Sequence, residues 1–279
     1  MNGMIYFILR ADRWLHVRLG YMVKQIPDKH KSYLSDFGHR LGLCYEDEAN
    51  EYIRMVRKHT MLPYVRLVTL YQQAVFCEKK GIPGSFVECG VWKGGAMAIM
   101  AFANLCHGQE RRDLHLFDVF DDIGEPDETI DGERALRDVR DLAGKAAGTS
   151  GRLEPIKGVY DPIGGHGTLD DNRHVLEQVA GYDPAFLHYH KGWFQETLPP
   201  ASGSVGPVAI LRLDGDWYAS IKVCLESLYG NVVSGGFVVV DDYGVYDGCT
   251  RAVDEFLDMN GINVFLHQVD GGCAYFIKP

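Results

Sequence analysis

Val208-Ala209-Ile210-Leu211-Arg212-Leu213-Asp214-Gly215-Asp216-Trp217-Tyr218, followed by Gly235-Gly236-Phe237-Val238-Val239-Val240-Asp241-Asp242-Tyr243, is the pair of phrases that decides the fold. In each, a short apolar run of strand character stops at a carboxylate. In an open parallel sheet, ligands bind beyond the carboxyl ends of the strands. If these two strands are neighbours, up to four carboxylates face one crevice, and their mutual repulsion demands a cation or raised pKa values. Oxygen-only ligands suit a hard divalent ion, Mg2+ or alternatively Ca2+ or Mn2+.

The alternation of apolar runs with helical periodicity extends over the chain from Ser85. Strands are predicted at 86–89, 114–117, 186–189, 208–213, 237–240, 264–268 and 274–277, and helices at 96–106, 172–180, 217–229 and 250–259. Strands separated by helices imply right-handed crossovers and a doubly wound, mostly parallel, Rossmann-like α/β sheet. The last two runs are separated only by Val269-Asp270-Gly271-Gly272, so the sheet is expected to end in an antiparallel hairpin. Residues 1–82 read as a helical region ahead of a sheet domain at 83–279. Leu67, Val68, Tyr71 and Val75 line one helix face, closed by Gly81 and Pro83. Glu46 to Lys58 places acids first and bases last, the order that complements a helix dipole. The polar, glycine-rich stretch 121–183 is expected to be a lid or a surface insertion.

With 279 residues, 46% of them hydrophobic, the chain is long enough for one elaborated domain. A net charge of -10 argues against sequence-independent nucleic-acid binding, which needs a basic face, and points to a small-molecule partner. The seven cysteines form no C-x-x-C pair, which implies reduced thiols in a cytoplasmic protein. No segment approaches the roughly 20 apolar residues of a membrane span, so an integral membrane protein is not expected. Residues 4–9 are apolar but short, lack a basic lead-in and precede Arg10, Asp12 and Arg13. They read as a helix packing on the body or on a partner chain rather than as a signal peptide.

The first strand runs through Val87-Glu88-Cys89-Gly90 into Gly94-Gly95 and an alanine-rich helix. Gly90 permits a tight turn, and Gly94 and Gly95 allow backbone to approach a ligand at the helix start. This is not the dinucleotide pattern G-x-G-x-x-G. Glu-x-Gly-x-x-x-Gly instead resembles the first motif of S-adenosylmethionine-dependent methyltransferases. About thirty residues later Asp118 ends the second strand, where a carboxylate can accept both ribose hydroxyls; Asp121 and Asp122 compete for that role. Asp216 fits equally a general base and the N-cap of the helix that follows. Trp193 suits stacking on adenine or ordinary core packing. His115, His188 and His190 read as satisfied structural histidines in preference to a metal set.

The phrases 82–95, 191–199, 212–218 and 235–243 resemble the macrocin O-methyltransferase family, which methylates sugar hydroxyls of natural products. The similarity runs in order from about Thr60 to Pro279, and Thr60-Met61 resembles a family phrase lying against the cofactor. The resemblance implies a class I methyltransferase sheet, S-adenosylmethionine and Mg2+ as cofactors, and a homodimer. It implies that Asp214, Asp241 and Asp242 hold the metal, that Asp216 is the general base, and that Met61 lies against the cofactor beside the motif residues Glu88, Gly90 and Gly94. Residues 1–60 and 144–167 depart from the family, which leaves the hydroxylated acceptor open.

The chemistry stands apart from the name. Methyl transfer from a sulfonium is an in-line displacement that needs donor and acceptor held close and collinear. An alcohol needs activation, which a divalent ion and an adjacent carboxylate together supply. A metal-dependent hydrolase using the same aspartates is an alternative; it needs no ribose acid and no 88–95 loop. A catalytically silent cofactor-binding module is another, although an idle site has no physical need for clustered carboxylates.

Overall fold

Seven strands form one sheet: β1 (Ser85–Cys89), β2 (Leu114–Asp118), β3 (Leu187–Lys191), β4 (Val208–Leu213), β5 (Val232–Asp241), β6 (His267–Asp270) and β7 (Cys273–Ile277). Their order is β3-β2-β1-β4-β5-β7-β6. β1 to β5 are parallel, and β7 runs antiparallel between β5 and β6. The computed structural model describes residues 41–143 and 148–279; the apolar 4–9 segment lies outside the described residues.

The helices are α1 (Glu46–Val56), α2 (Tyr64–Lys80), α3 (Gly95–His107), α4 (Gly132–Ala143), α5 (Leu169–Arg173), α6 (Phe194–Val205), α7 (Tyr218–Leu228) and α8 (Asp247–Met259). α5 widens into a π-helical turn over His174–Val179. β5 shows why the central runs are apolar without alternation. Phe237 and Val239 join one core cluster with residues of α2 and α3, while Val238 and Val240 join another with residues of α7 and α8. Successive side chains point to opposite faces, so a strand covered on both sides needs an apolar residue at every step. Each such Val, Leu or Phe contributes about 1.5–3 kcal/mol by leaving water.

Three elements differ from the sequence expectation. α6 departs from the sequence pattern because Pro199 and Pro200 lie inside it; proline ordinarily marks a helix boundary. α4 has few apolar positions, but Ala135 and Val139 are four apart and share one buried stripe. The strand expected at 264–268 is instead β6 at His267–Asp270, a polar edge strand. Val264 and Leu266 precede it and pack against the α7–α8 side of the core.

Candidate active site

β4 and β5 lie side by side with Leu213 opposite Val240, so the residues following both strands leave the sheet at one edge. Asp214 follows β4, Asp241 ends β5, and Asp242 comes next. One carboxylate oxygen from each lies within 4.8 Å of the other two. Oxygens sharing one ion at roughly 2.1–2.4 Å are at most roughly 4.8 Å apart, so the spacing suits a single hard cation. Asp241 is 4% exposed and its Oδ1 has no hydrogen-bond partner. An orphaned buried carboxylate oxygen is costly, and a cation is the group that would satisfy it. By donor chemistry these aspartates fit a hard divalent ion such as Mg2+.

The cluster is braced from beneath. Glu88 and Arg212 are register partners on β1 and β4, each flanked by residues that pack toward α7 and α8. They therefore project to the opposite face, toward α2. Arg212 donates through Nη1 to Glu88 Oε1 at 2.6 Å and through Nη2 to Asp214 Oδ2 at 3.0 Å, and its Nη2 lies 3.3 Å from Asp241 Oδ2. Arg66, from the first turn of α2, donates to the same Asp241 Oδ2 at 2.8 Å.

Burial dominates the proton affinities here. It pushes Asp216 up to about 8, with the charge of Asp214 adding to the shift. Asp214 rises to about 6 and Glu88 to about 8, burial outweighing Arg212 in both. Asp242 is raised well above the carboxylate range by burial and then by Asp216. The neighbouring Asp216 carboxyl adds to the upward shift of Asp242, while Asp242 acts to lower Asp216 without offsetting its burial. Both residues have left-handed backbone, φ 56° and φ 65°, a conformation that Asp adopts more readily than bulkier residues. The capping alternative for Asp216 fails: the N-cap of α7 is Trp217, with no side-chain cap, and the Tyr218 N–H is taken by Asp131 Oδ1 at 2.8 Å.

A cavity of about 470 Å3 opens over this edge, with Asp214 and Asp216 in its wall alongside Met61, Gly90, Asp118 and Trp193. Gly90 has φ 88°, and a side chain there would overlap the Asp214 carbonyl oxygen, so glycine is what lets β1 exit beside β4. Asp118 Oδ2 accepts the Val91 and Trp92 N–H groups at 2.7 and 3.3 Å, and its Oδ1 accepts Phe120 N–H at 2.7 Å. Its carboxylate thus ties the glycine turn to β2 and keeps little acceptor capacity for a ribose. Glu88 and Gly94 lie outside the cavity wall. Glu88 faces Arg212, and the space beside Gly94, at the start of α3, is filled by Asn172 and Val175.

The opposite wall comes from the expected lid segment. Ile123, Val139, Leu142 and Val159 line it together with Trp217 and Tyr246. The segment is fastened by Asp122 Oδ2, which accepts Gly158 N–H at 2.8 Å, by a Lys157–Asp121 ion pair at 2.7 Å, and by Trp92 Nε1 donating to Gly165 O at 3.1 Å. Asp121 and Asp122 also approach His166, but Lys157 already neutralises Asp121. Away from the cavity, His115 Nδ1 and His190 Nε2 are 3.1 Å apart and His188 stacks on His115 at 4.6 Å, in keeping with structural histidines. Sequence reasoning missed Arg66, Arg212 and Asp131. Arg212 had a usable signal: a lone arginine inside an apolar strand run must be paired to be buried.

A β3-β2-β1-β4-β5-β7-β6 sheet with a glycine turn after β1 and a ligand edge at the β1–β4 switch defines a Rossmann-like class I methyltransferase. The O-methyltransferase NovP superposes with TM-score 0.63 at 28% identity, over 79% of this chain and 82% of its own. CalS11, a calicheamicin methyltransferase, shares the fold at 18% identity and TM-score 0.52, over 86% of this chain and 95% of its own. The chain belongs to the macrocin-O-methyltransferase (TylF) family, whose model matches residues 49–145 and 172–278, and it is an S-adenosylmethionine-dependent O-methyltransferase. Among relatives, 8-demethyl-8-(2,3-dimethoxy-alpha-L-rhamnosyl)-tetracenomycin-C 4'-O-methyltransferase of Streptomyces olivaceus is 31% identical over 216 residues, 76% of this chain and 73% of that protein. Demethyldecarbamoylnovobiocin O-methyltransferase of Streptomyces niveus is 31% identical over 231 residues, 81% of this chain and 78% of that protein.

Proposed function

We propose that the enzyme moves a methyl group from S-adenosylmethionine to a hydroxyl of a sugar or glycosylated natural product, assisted by Mg2+. Asp214, Asp241 and Asp242 hold the ion, and Asp216 takes the hydroxyl proton. The observation that carries this reading is the convergence of Asp214, Asp241 and Asp242 on one ion-sized space, of which Asp214 also reaches the cavity wall and shares it with a fourth carboxylate, Asp216. When bound, the cation lowers the pKa of the acceptor hydroxyl and orients it. The nucleoside donor supplies an activated methyl, held by Met61, Gly90 and Trp193 in the cavity wall and by the turn that Asp118, Glu88 and Gly94 shape.

Asp216 is suited to its task because burial brings its proton affinity close to neutral pH, where a base both accepts and gives up a proton. The apolar wall of Ile123, Val139, Leu142 and Val159 excludes water from the reacting centre and offers a face for a ring system. A homodimer accompanies the reading on family grounds.

Titration calorimetry with S-adenosylmethionine, with and without Mg2+, tests the proposal together with mass-spectrometric detection of methylated product from glycosylated acceptors. Asp214→Asn is expected to abolish Mg2+ binding and leave cofactor affinity largely intact. Asp216→Asn is expected to bind both and to lower turnover by at least 100-fold. Metal-independent turnover on every acceptor would overturn the mechanism.

A further inference from the structure

We infer that Arg66 is a positioning residue that selects which oxygen of Asp241 faces the cation site. The inference rests on the Mg2+ reading above, but its observations are separate. Arg66 uses its whole fork. Nη1 donates to Asp241 Oδ2 at 2.8 Å, while Nε and Nη2 clamp Asp270 Oδ2 and Oδ1 at 2.8 and 2.9 Å. Asp270 is fixed in turn by Gly272 N–H at 2.8 Å. A side chain at Gly272 would come within 2.7 Å of Arg66 Nη2, so the β6–β7 turn has room for the guanidinium only because that position is glycine.

The consequence falls on Asp241. With Arg66 and Arg212 both at Oδ2, that oxygen is committed, and Oδ1 remains buried without a hydrogen-bond partner. One rotamer is thereby set, and the free oxygen is the one available to an ion. The bidentate clamp on Asp270 fixes the plane of the guanidinium and so aims Nη1 at one oxygen of Asp241, a directional control that a lysine cannot reproduce. The first turn of α2 and the C-terminal hairpin therefore complete a site whose ligands belong to β4 and β5.

A purely electrostatic role makes the opposite prediction. A guanidinium beside a cation site repels the ion, so removing its charge should tighten binding. Positioning partners of metal ligands instead lose affinity when removed, typically 10–100-fold. The test measures Mg2+ affinity by calorimetry on the full chain with S-adenosylhomocysteine present, for wild type, Arg66→Gln and Arg66→Lys. Thermal denaturation in a chelator monitors folding of each variant.

Positioning predicts Mg2+ binding at least about 10-fold weaker in Arg66→Gln, and weaker in Arg66→Lys too, because an ammonium keeps the charge but cannot hold Asp241 and Asp270 together. In turnover, the Mg2+ concentration for half-maximal rate should rise while the saturated rate falls less. Tighter binding in Arg66→Gln, or wild-type affinity in Arg66→Lys, overturns the inference. Failure of the Mg2+ reading looks different: wild type itself would then show no Mg2+ binding that Asp214→Asn removes.

Discussion

Replacing Arg212 by methionine removes the one cation among the described residues that touches Glu88, Asp214 and Asp241 together. The arginine side chain is 2% exposed and that of Glu88 1%, so water cannot replace the lost partner without opening the sheet. Asp214 retains 29% exposure and can rehydrate; the cost falls mainly on Glu88 and on Asp241, whose remaining support is Arg66. Methionine fills much of the vacated volume, which leaves the stranded carboxyl groups as the main loss. Breaking a buried ion pair from one side costs about 3–5 kcal/mol. For a chain of this length that is a fall in Tm of roughly 10 °C. Urea denaturation and thermal scans in a chelator at pH 7.5 measure it. Adding Glu88→Gln to Arg212→Met should recover at least about 1 kcal/mol, because glutamine, unlike a buried carboxyl group, needs neither desolvation of a charge nor uptake of a proton on folding. A single-variant cost below about 1 kcal/mol, or no recovery in the double variant, would refute the claim that this guanidinium holds the cluster.

Gly90→Ala should destabilise the protein by about 1–3 kcal/mol and weaken both cofactor and Mg2+ binding in calorimetry, since its methyl group meets the Asp214 carbonyl at a left-handed backbone position. Asp131→Ala strips the α7 N-terminus of the carboxylate that accepts Tyr218 N–H, and should cost about 1–2 kcal/mol in urea denaturation. His115 gives a pH dependence: burial, then His188 and His190, lower its pKa from 6.5 to about 4. Between those values the unfolded chain binds the proton and the native protein does not. The contribution of neutral His115 is therefore complete above pH 6.5 and is lost as pH falls toward 4, a change of about 3 kcal/mol at most. Stability curves of wild type and His115→Phe should diverge in slope across that window; parallel curves would mean that His115 is already solvated.

Much of the site was legible because it sits where apolar runs end. The run Phe237 to Val240 could only be a strand covered on both faces, and its neighbour Val208 to Leu213 could only deliver Asp214 to the same edge once the two were paired. The acids at strand ends followed without knowledge of the turns between. The rest depends on contacts distant in sequence. Nothing near Arg66 announces that Asp241, 175 positions on, and Asp270 share its guanidinium. Asp118 stands in the expected place, but two of the three backbone N–H groups that occupy it, those of Val91 and Trp92, come from a turn whose path is set only by packing. Phe194 to Val205 hid its helix behind two prolines, and the edge strand His267 to Asp270 carries too little apolar character for a period-two pattern.

The positive φ angles of Asp216 and Asp242 restrict which amino acids these two positions can hold. Glycine, asparagine and aspartate tolerate that backbone; β-branched and bulky side chains strain it. An enzyme of this shape that drifted toward inactivity would therefore shed its charges first through Asn or Gly, with its turns intact. For the same reason an amide substitution is the clean chemical probe at both sites, whereas valine would report on backbone strain as much as on the missing carboxylate.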